Sequence, residues 1–125
     1  ENMHDAPYLK RNVGPEITSM MSIIAYEIRK RFERPAGVQI LAGANKDAIS
    51  VAYSSGFEYV RAEGFVFSHV ADEGIMESDA GELLRYRKNI GADCVKVFTD
   101  IKKKHSANDG FRVVDLSISV GNQVF

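Results

Sequence analysis

Asp100, Lys104 and His105 stand within six positions of one another and have the types that proton transfer and anion stabilisation use. A carboxylate at a strand tip can act as a base or hold an imidazole, and a lysine beside it can neutralise a phosphate or an enolate. The plain alternative is a solvated basic loop, because Lys102, Lys103 and Lys104 form a charge run. Arg61 and Glu63 lie two apart on one expected strand and so point the same way. They read as an anion holder beside an acid–base group, or as a structural ion pair. Asn2, His4 and Asp5 could offer two or three metal ligands, but no second His or Asp cluster completes a set of four, so a surface loop is the better reading. His69 reads as a loop residue. Cys94, the single cysteine, reads as inert core at the start of a strand. No phosphate-binding P-loop, dinucleotide fingerprint, HExxH or G-x-S-x-G pattern is present, and no hydride cofactor or metal is called for.

Composition narrows the class. The chain has 125 residues, 45% hydrophobic and 26% charged, as expected of a globular domain. A net charge of −1 gives no global basic field for nucleic acid or acidic lipid. No apolar run is long enough for a transmembrane segment. One cysteine rules out an intrachain disulfide and fits a reducing compartment. A start at Glu1, without Met or a signal-peptide pattern, is what a fragment or processed chain would show.

The elements that must position these groups are short and alternate. Residues 1–15 are polar and turn-rich. Pro15 suits a first helical position, and Ile17, Met20, Met21, Ile24, Ile28 and Phe32 then recur three and four apart. That predicts an amphipathic helix, basic at its C-terminal end and stopped before Pro35. An apolar stripe of this kind could lie on a membrane, but packing on a core is the stronger reading. GVQILAG (37–43) predicts a strand, and Asn45 a side-chain cap for a helix that Gly56 stops. EYVRAE (58–63) is the next strand. A loop over 64–78 leads to a third helix, with Asp79 and Glu82 as a variant capping box. CVKVFT (94–99) is a third strand. Gly56-x-x-x-Val60-Arg61 recurs faintly as Gly91-x-x-x-Val95-Lys96.

Helices alternating with short β runs mean parallel β/α units. Val38, Ile40, Val60, Ala62, Val95 and Val97 form one apolar strand face, expected beneath the helices. Gln39, Leu41, Arg61, Glu63, Lys96, Phe98 and Asp100 form the other. A doubly wound sheet buries both faces in aliphatic side chains. Charges that thicken toward strand ends suit the mouth of a barrel instead. The fold class is therefore α/β, a partial (β/α)8 TIM-type barrel with about half of the barrel present. Residues 1–106 form the barrel segment, and residues 107–125, where the rhythm is lost, a divergent C-terminal tail. Open sheet edges would call for a covering chain, which a homo-oligomer could supply.

Four blocks, DAPYLKRNVGPE (5–16), ADEGIMES (71–78), LLRYRKNIGA (83–92) and DIKKKHS (100–106), together resemble the BtpA family of photosystem I biogenesis and SgcQ-like proteins. The resemblance implies a TIM-type barrel of the ribulose-phosphate-binding group, with the present strands as its third to fifth, and a truncated animal-type member of the cytoplasm or mitochondrion. It implies functional groups at and after strand C-termini. Those are Asn2 and Asp5 after the second strand, Asn45 after the third, Arg61, Glu63 and Asp72 at or after the fourth, and Asp100, Lys104 and His105 after the fifth. Asp100, Lys104 and His105 would be catalytic, and the other six would bind a small, possibly phosphorylated or sugar-like ligand. Relatives with an amide at the Glu63 position argue against a general base there. Two rivals stand beside the enzyme: a non-enzymatic assembly or stability factor, and an inactive truncated isoform.

Overall fold

A computed structural model of the chain describes residues 1–100. Asp100 is inside that range, whereas Lys104, His105 and the expected tail at 107–125 lie outside the described residues. Eight elements follow in order: α1 (Pro15–Arg31), β1 (Gly37–Val38), α2 (Asn45–Ser55), β2 (Tyr59–Ala62), β3 (His69–Ala71), β4 (Gly74–Met76), α3 (Ala80–Asn89) and β5 (Lys96–Thr99). The fold is α/β. β1, β2 and β5 make one parallel sheet in that order, with Val38 opposite Val60 and Val60 opposite Val97.

The alternation read from the strands has the expected cause. Val38, Ile40, Val60, Ala62, Val95 and Val97 are all buried, in one cluster with Ile49, Ala52 and Leu83 from the helices. On the other face Arg61, Lys96 and Phe98 are exposed. Around these three the face is open among the described residues, whereas Gln39 and Glu63 of the same set are buried. Tyr59 and Phe98 meet edge to face on it, ring centroids 5.2 Å apart. Cys94 is exposed beside them, which corrects its reading as core.

Local sequence explains most boundaries. Pro15 opens α1 because the missing N–H of proline costs nothing in a first turn. Gly56 ends α2 in the left-handed conformation, φ 77°, which a Cβ disfavours. β1 is shorter than the expected 37–43: the chain turns at residues 41–43, and the N-terminal segment bonds to it there. The Arg11 N–H donates to the Ala42 carbonyl, and the Ala42 N–H to that of Leu9.

Two expectations need revision. The 64–78 segment is not a plain loop: β3 and β4 pair antiparallel, Val70 against Ile75, about a two-residue Asp72–Glu73 turn. The α1 stripe is also split. Ile17, Met21 and Ala25, four apart, pack on the core. Met20, Ile23, Ile24, Ile28 and Phe32 face outward.

Candidate functional site

The polar groups gather where the strands end. Asn45, first residue of α2, is buried and does not cap its own helix, which corrects the expectation for it. Its amide reaches across to the residue that follows β2 instead. Asn45 Nδ2 donates to the Glu63 carbonyl at 2.8 Å, and Oδ1 accepts from the Glu63 N–H at 3.2 Å. The same Nδ2 lies 3.0 Å from Asp79 Oδ2. One side chain thus ties the ends of two neighbouring parallel strands to the start of α3.

Asp79 stands at the N-cap of α3 but makes no side-chain cap bond. Its carboxylate is engaged by Asn45 and by Arg11 Nη1 at 2.5 Å. Glu82, the expected capping-box partner, pairs instead with Lys46 at 2.9 Å. Burial raises the Asp79 carboxyl above its ordinary pKa, while Asn45 and the Arg11 charge pull it back down. On Glu82 the Lys46 hydrogen bond acts the other way and lowers it.

Arg11 was not singled out from the sequence. Its φ of 63° is rare for a residue with a Cβ. The strain is held by multiple bonds: besides Asp79, the guanidinium donates to the carbonyls of Gly43, Gly64 and Glu77. Its only sequence signal was a long cation inside a turn-rich segment. A cleft of about 430 Å³ opens beside it between the first turns of α2 and α3, lined by Asn45, Lys46, Asp79, Glu82 and Tyr86 among others.

Glu63 is buried at 1% exposure, with Oε1 3.4 Å from Nε2 of His69, itself buried at the start of β3. His69 is therefore part of this cluster rather than a free loop residue. The partner of Arg61 is not Glu63 but Asp100: Nε and Nη2 meet the two carboxylate oxygens at 2.9 and 3.0 Å. That hydrogen bond, foremost, raises the Arg61 pKa above its ordinary value. Glu1 adds a longer contact at 3.8 Å.

Asn2 clamps backbone: it accepts from the Leu41 N–H at 2.7 Å, donates to the Leu41 carbonyl at 3.1 Å, and also contacts Asp5 at 3.3 Å. Asp72 is exposed in the β3–β4 turn. The structure thus joins Asn45 to Glu63, and Arg61 to Asp100. It leaves Asp5 and Asp72 at the surface. No group of three or more His, Cys, Asp or Glu arranged for a metal occurs among the described residues, and no helix there is long and apolar enough to cross a membrane.

Parallel β/α units with polar and ionisable side chains at the strand ends define the class: an α/β protein with its candidate site at the C-terminal edge of the sheet. The chain belongs to the BtpA family, whose model matches residues 1–124. It is 52% identical over 113 residues to an uncharacterized mitochondrial protein of Caenorhabditis elegans, covering 86% of this chain and 41% of that one. An uncharacterized Archaeoglobus fulgidus protein is 35% identical, over 86% of this chain and 43% of its own. The photosystem I biogenesis protein BtpA of Synechocystis is 31% identical, over 85% and 37%. The chain therefore spans about two fifths of the length of these relatives. No solved structure matches it significantly.

Proposed function

We propose that this chain is a segment of a TIM-type barrel whose mouth binds, and in a longer protein transforms, a small phosphorylated or sugar-like metabolite. The observation that carries the reading is the placement of the bonded pairs Asn45–Glu63 and Arg61–Asp100 on the C-terminal side of three parallel strands, where barrel enzymes keep their chemistry. Three further features support it. The three parallel strands lie side by side in the order in which the chain makes them, the helices share one face, and the other face carries Arg61, Lys96 and Phe98 as a lumen would. Gln39 Oε1 is buried with no partner among the described residues, an acceptor that a ligand or a further strand would satisfy.

In this reading Asp100 is the acid–base group at the tip of β5, flanked by Lys104 and His105. Arg61 fixes the Asp100 carboxylate and meets ligand anions, and Asn45 with Asn2 holds the strand ends rigid. Glu63 and Asp72 remain ligand contacts, the first beside His69. Cytoplasm or mitochondrion is the compartment proposed, the second supported by the name of the worm relative.

A screen of sugar phosphates and nucleosides by thermal shift tests this. At least one should raise the melting temperature of the wild-type chain, and Asp100→Asn should abolish the shift. No stabilisation by any compound, or an equal one in the variant, would refute the assignment.

A non-enzymatic assembly role is the second reading. The printed name of the Synechocystis relative supports it. So does an apolar groove of about 570 Å³ on the open sheet face, between Pro35, Tyr59, Cys94 and Phe98. Under that reading Asp100→Asn leaves function intact.

A further inference from the structure

The cleft of about 430 Å³ between the first turns of α2 and α3 is lined by neither Arg61, Glu63 nor Asp100. Its walls come from two helices that touch directly: Ser50 meets Tyr86 at 2.7 Å, and Lys46 meets Glu82 at 2.9 Å. Arg11 and Asn45 fix Asp79 at its edge. The cleft is thus built by neighbouring β/α units within the described residues, and a longer barrel would not separate them. Its volume lies within the roughly 300–1,000 Å³ of small-ligand sites.

The lining mixes donors with acceptors and leaves little free charge. Two cations, Arg11 and Lys46, stand against three carboxylates, Asp47, Asp79 and Glu82. Arg11 is held by Asp79 and Lys46 by Glu82. The odd carboxylate, Asp47, accepts from the Thr18 hydroxyl at 3.1 Å through one oxygen only. A phosphate would meet three like charges and an organic cation two, so either would lose hydration without a free, unopposed counter-charge.

Hydrogen-bonding capacity remains between the pairs. The second Asp47 oxygen can accept. Ser50 gives its single proton to the Lys46 carbonyl at 3.0 Å, so Tyr86 is the donor in their bond and its oxygen still accepts. The exposed Asn12 amide has no side-chain partner among the described residues, and the Lys46 ammonium keeps two further N–H groups. α2 and α3 both begin without a side-chain cap, so the first-turn N–H groups of Lys46 and Glu82 add donors. A hydroxyl both donates and accepts, and a ring of hydroxyls uses such a lining fully. Tyr86 adds an apolar ring beside them.

We propose that this cleft binds a neutral, unphosphorylated monosaccharide, with Asn12 and Lys46 donating to its hydroxyls and Asp47 and Tyr86 accepting from them. The site is separate from the Arg61–Asp100 pair and does not depend on the metabolite reading.

Amide chemical shifts of the 125-residue chain, followed while D-ribose or D-glucose is added, test it. At least one sugar should move the amides of Asn12, Lys46, Asp47 and Tyr86 along a saturating curve. Inorganic phosphate and ethylammonium at the same concentrations should not. Asn12→Ala and Tyr86→Phe should each weaken the sugar roughly 2- to 10-fold, the effect of one hydrogen bond. The Asn12 side chain makes no bond within the described residues, so Asn12→Ala decides if Tyr86→Phe loses its fold. No saturating shift with either sugar overturns the proposal, as does tighter binding of phosphate or ethylammonium at these amides. So does full affinity in folded Asn12→Ala. Sugar binding lost in Asp100→Asn but kept in Asn12→Ala overturns it too, and supports the strand-end site instead.

Discussion

Replacing Asn45 with alanine removes one amide and takes a hydrogen-bond partner from three groups. Asn45 is 3% exposed and satisfies both the N–H and the carbonyl of Glu63, besides donating to Asp79. In Asn45→Ala the two Glu63 backbone groups stay buried without those partners, a cost of about 1–3 kcal/mol each, and water entering the gap recovers part of it. The expected loss is on the order of 2–4 kcal/mol, against a total stability of roughly 5–15 kcal/mol for a domain. With a urea m-value of about 1–2 kcal/mol/M, the unfolding midpoint should fall by at least about 1 M. Urea melts followed by circular dichroism read this directly, with Lys46→Ala as the control. Lys46 is the next residue along, but it is exposed and pairs only at the surface with Glu82, so its removal should leave the midpoint unchanged. An Asn45→Ala midpoint equal to wild type would mean that the amide does not tie the strand ends together.

Three further outcomes follow from the same geometry. Asp79 has a folded pKa above its ordinary 3.8, so in the window just above that value the folded state holds more protons than the unfolded, and stability falls as pH rises through it. Denaturant melts at several pH values should show the stability of wild type minus that of Asp79→Asn declining across this window, and a flat or rising difference would contradict the burial argument. Leu83→Ala, at a fully buried site, should cost about 2–5 kcal/mol in the same melts. Arg61→Ala should cost less than about 1 kcal/mol, because half of the Arg61 side chain is in water and exposed ion pairs contribute little. A larger loss would make the Arg61–Asp100 pair structural.

How much of this was legible depended on the reach of each interaction. The strand alternation of Val60 with Ala62 and of Val95 with Val97 is a local pattern, written by burial on one side, and it pointed correctly to parallel units under helices. Pro15 and Gly56 act on their own backbone, so the helix ends they set were equally visible. Asn45 and Asp79 were picked out, but as caps, because the partners they prefer lie 34 residues apart and adjacency in sequence does not reveal them. The link from Arg11 to Asp79 spans 68 residues and left no local trace. The β3–β4 hairpin was hidden by strands of three residues and by an Asp-Glu turn in place of the usual Asn-Gly signal. The α1 stripe was read as one face. Its apolar residues exceed what the described residues bury on one face, so periodicity alone could not separate Ile17, Met21 and Ala25 from the rest.

Backbone amide chemical shifts of the 125-residue chain, recorded while each compound that stabilises it is titrated in, test the central claim most directly. The account predicts perturbations concentrated at the amides of Asn45, Glu63, Arg61 and Asp100, beyond the C-terminal ends of the parallel strands. Shifts confined to the opposite edge of the sheet, around Gly37 and Lys96, or to the outer side of α1, would contradict it.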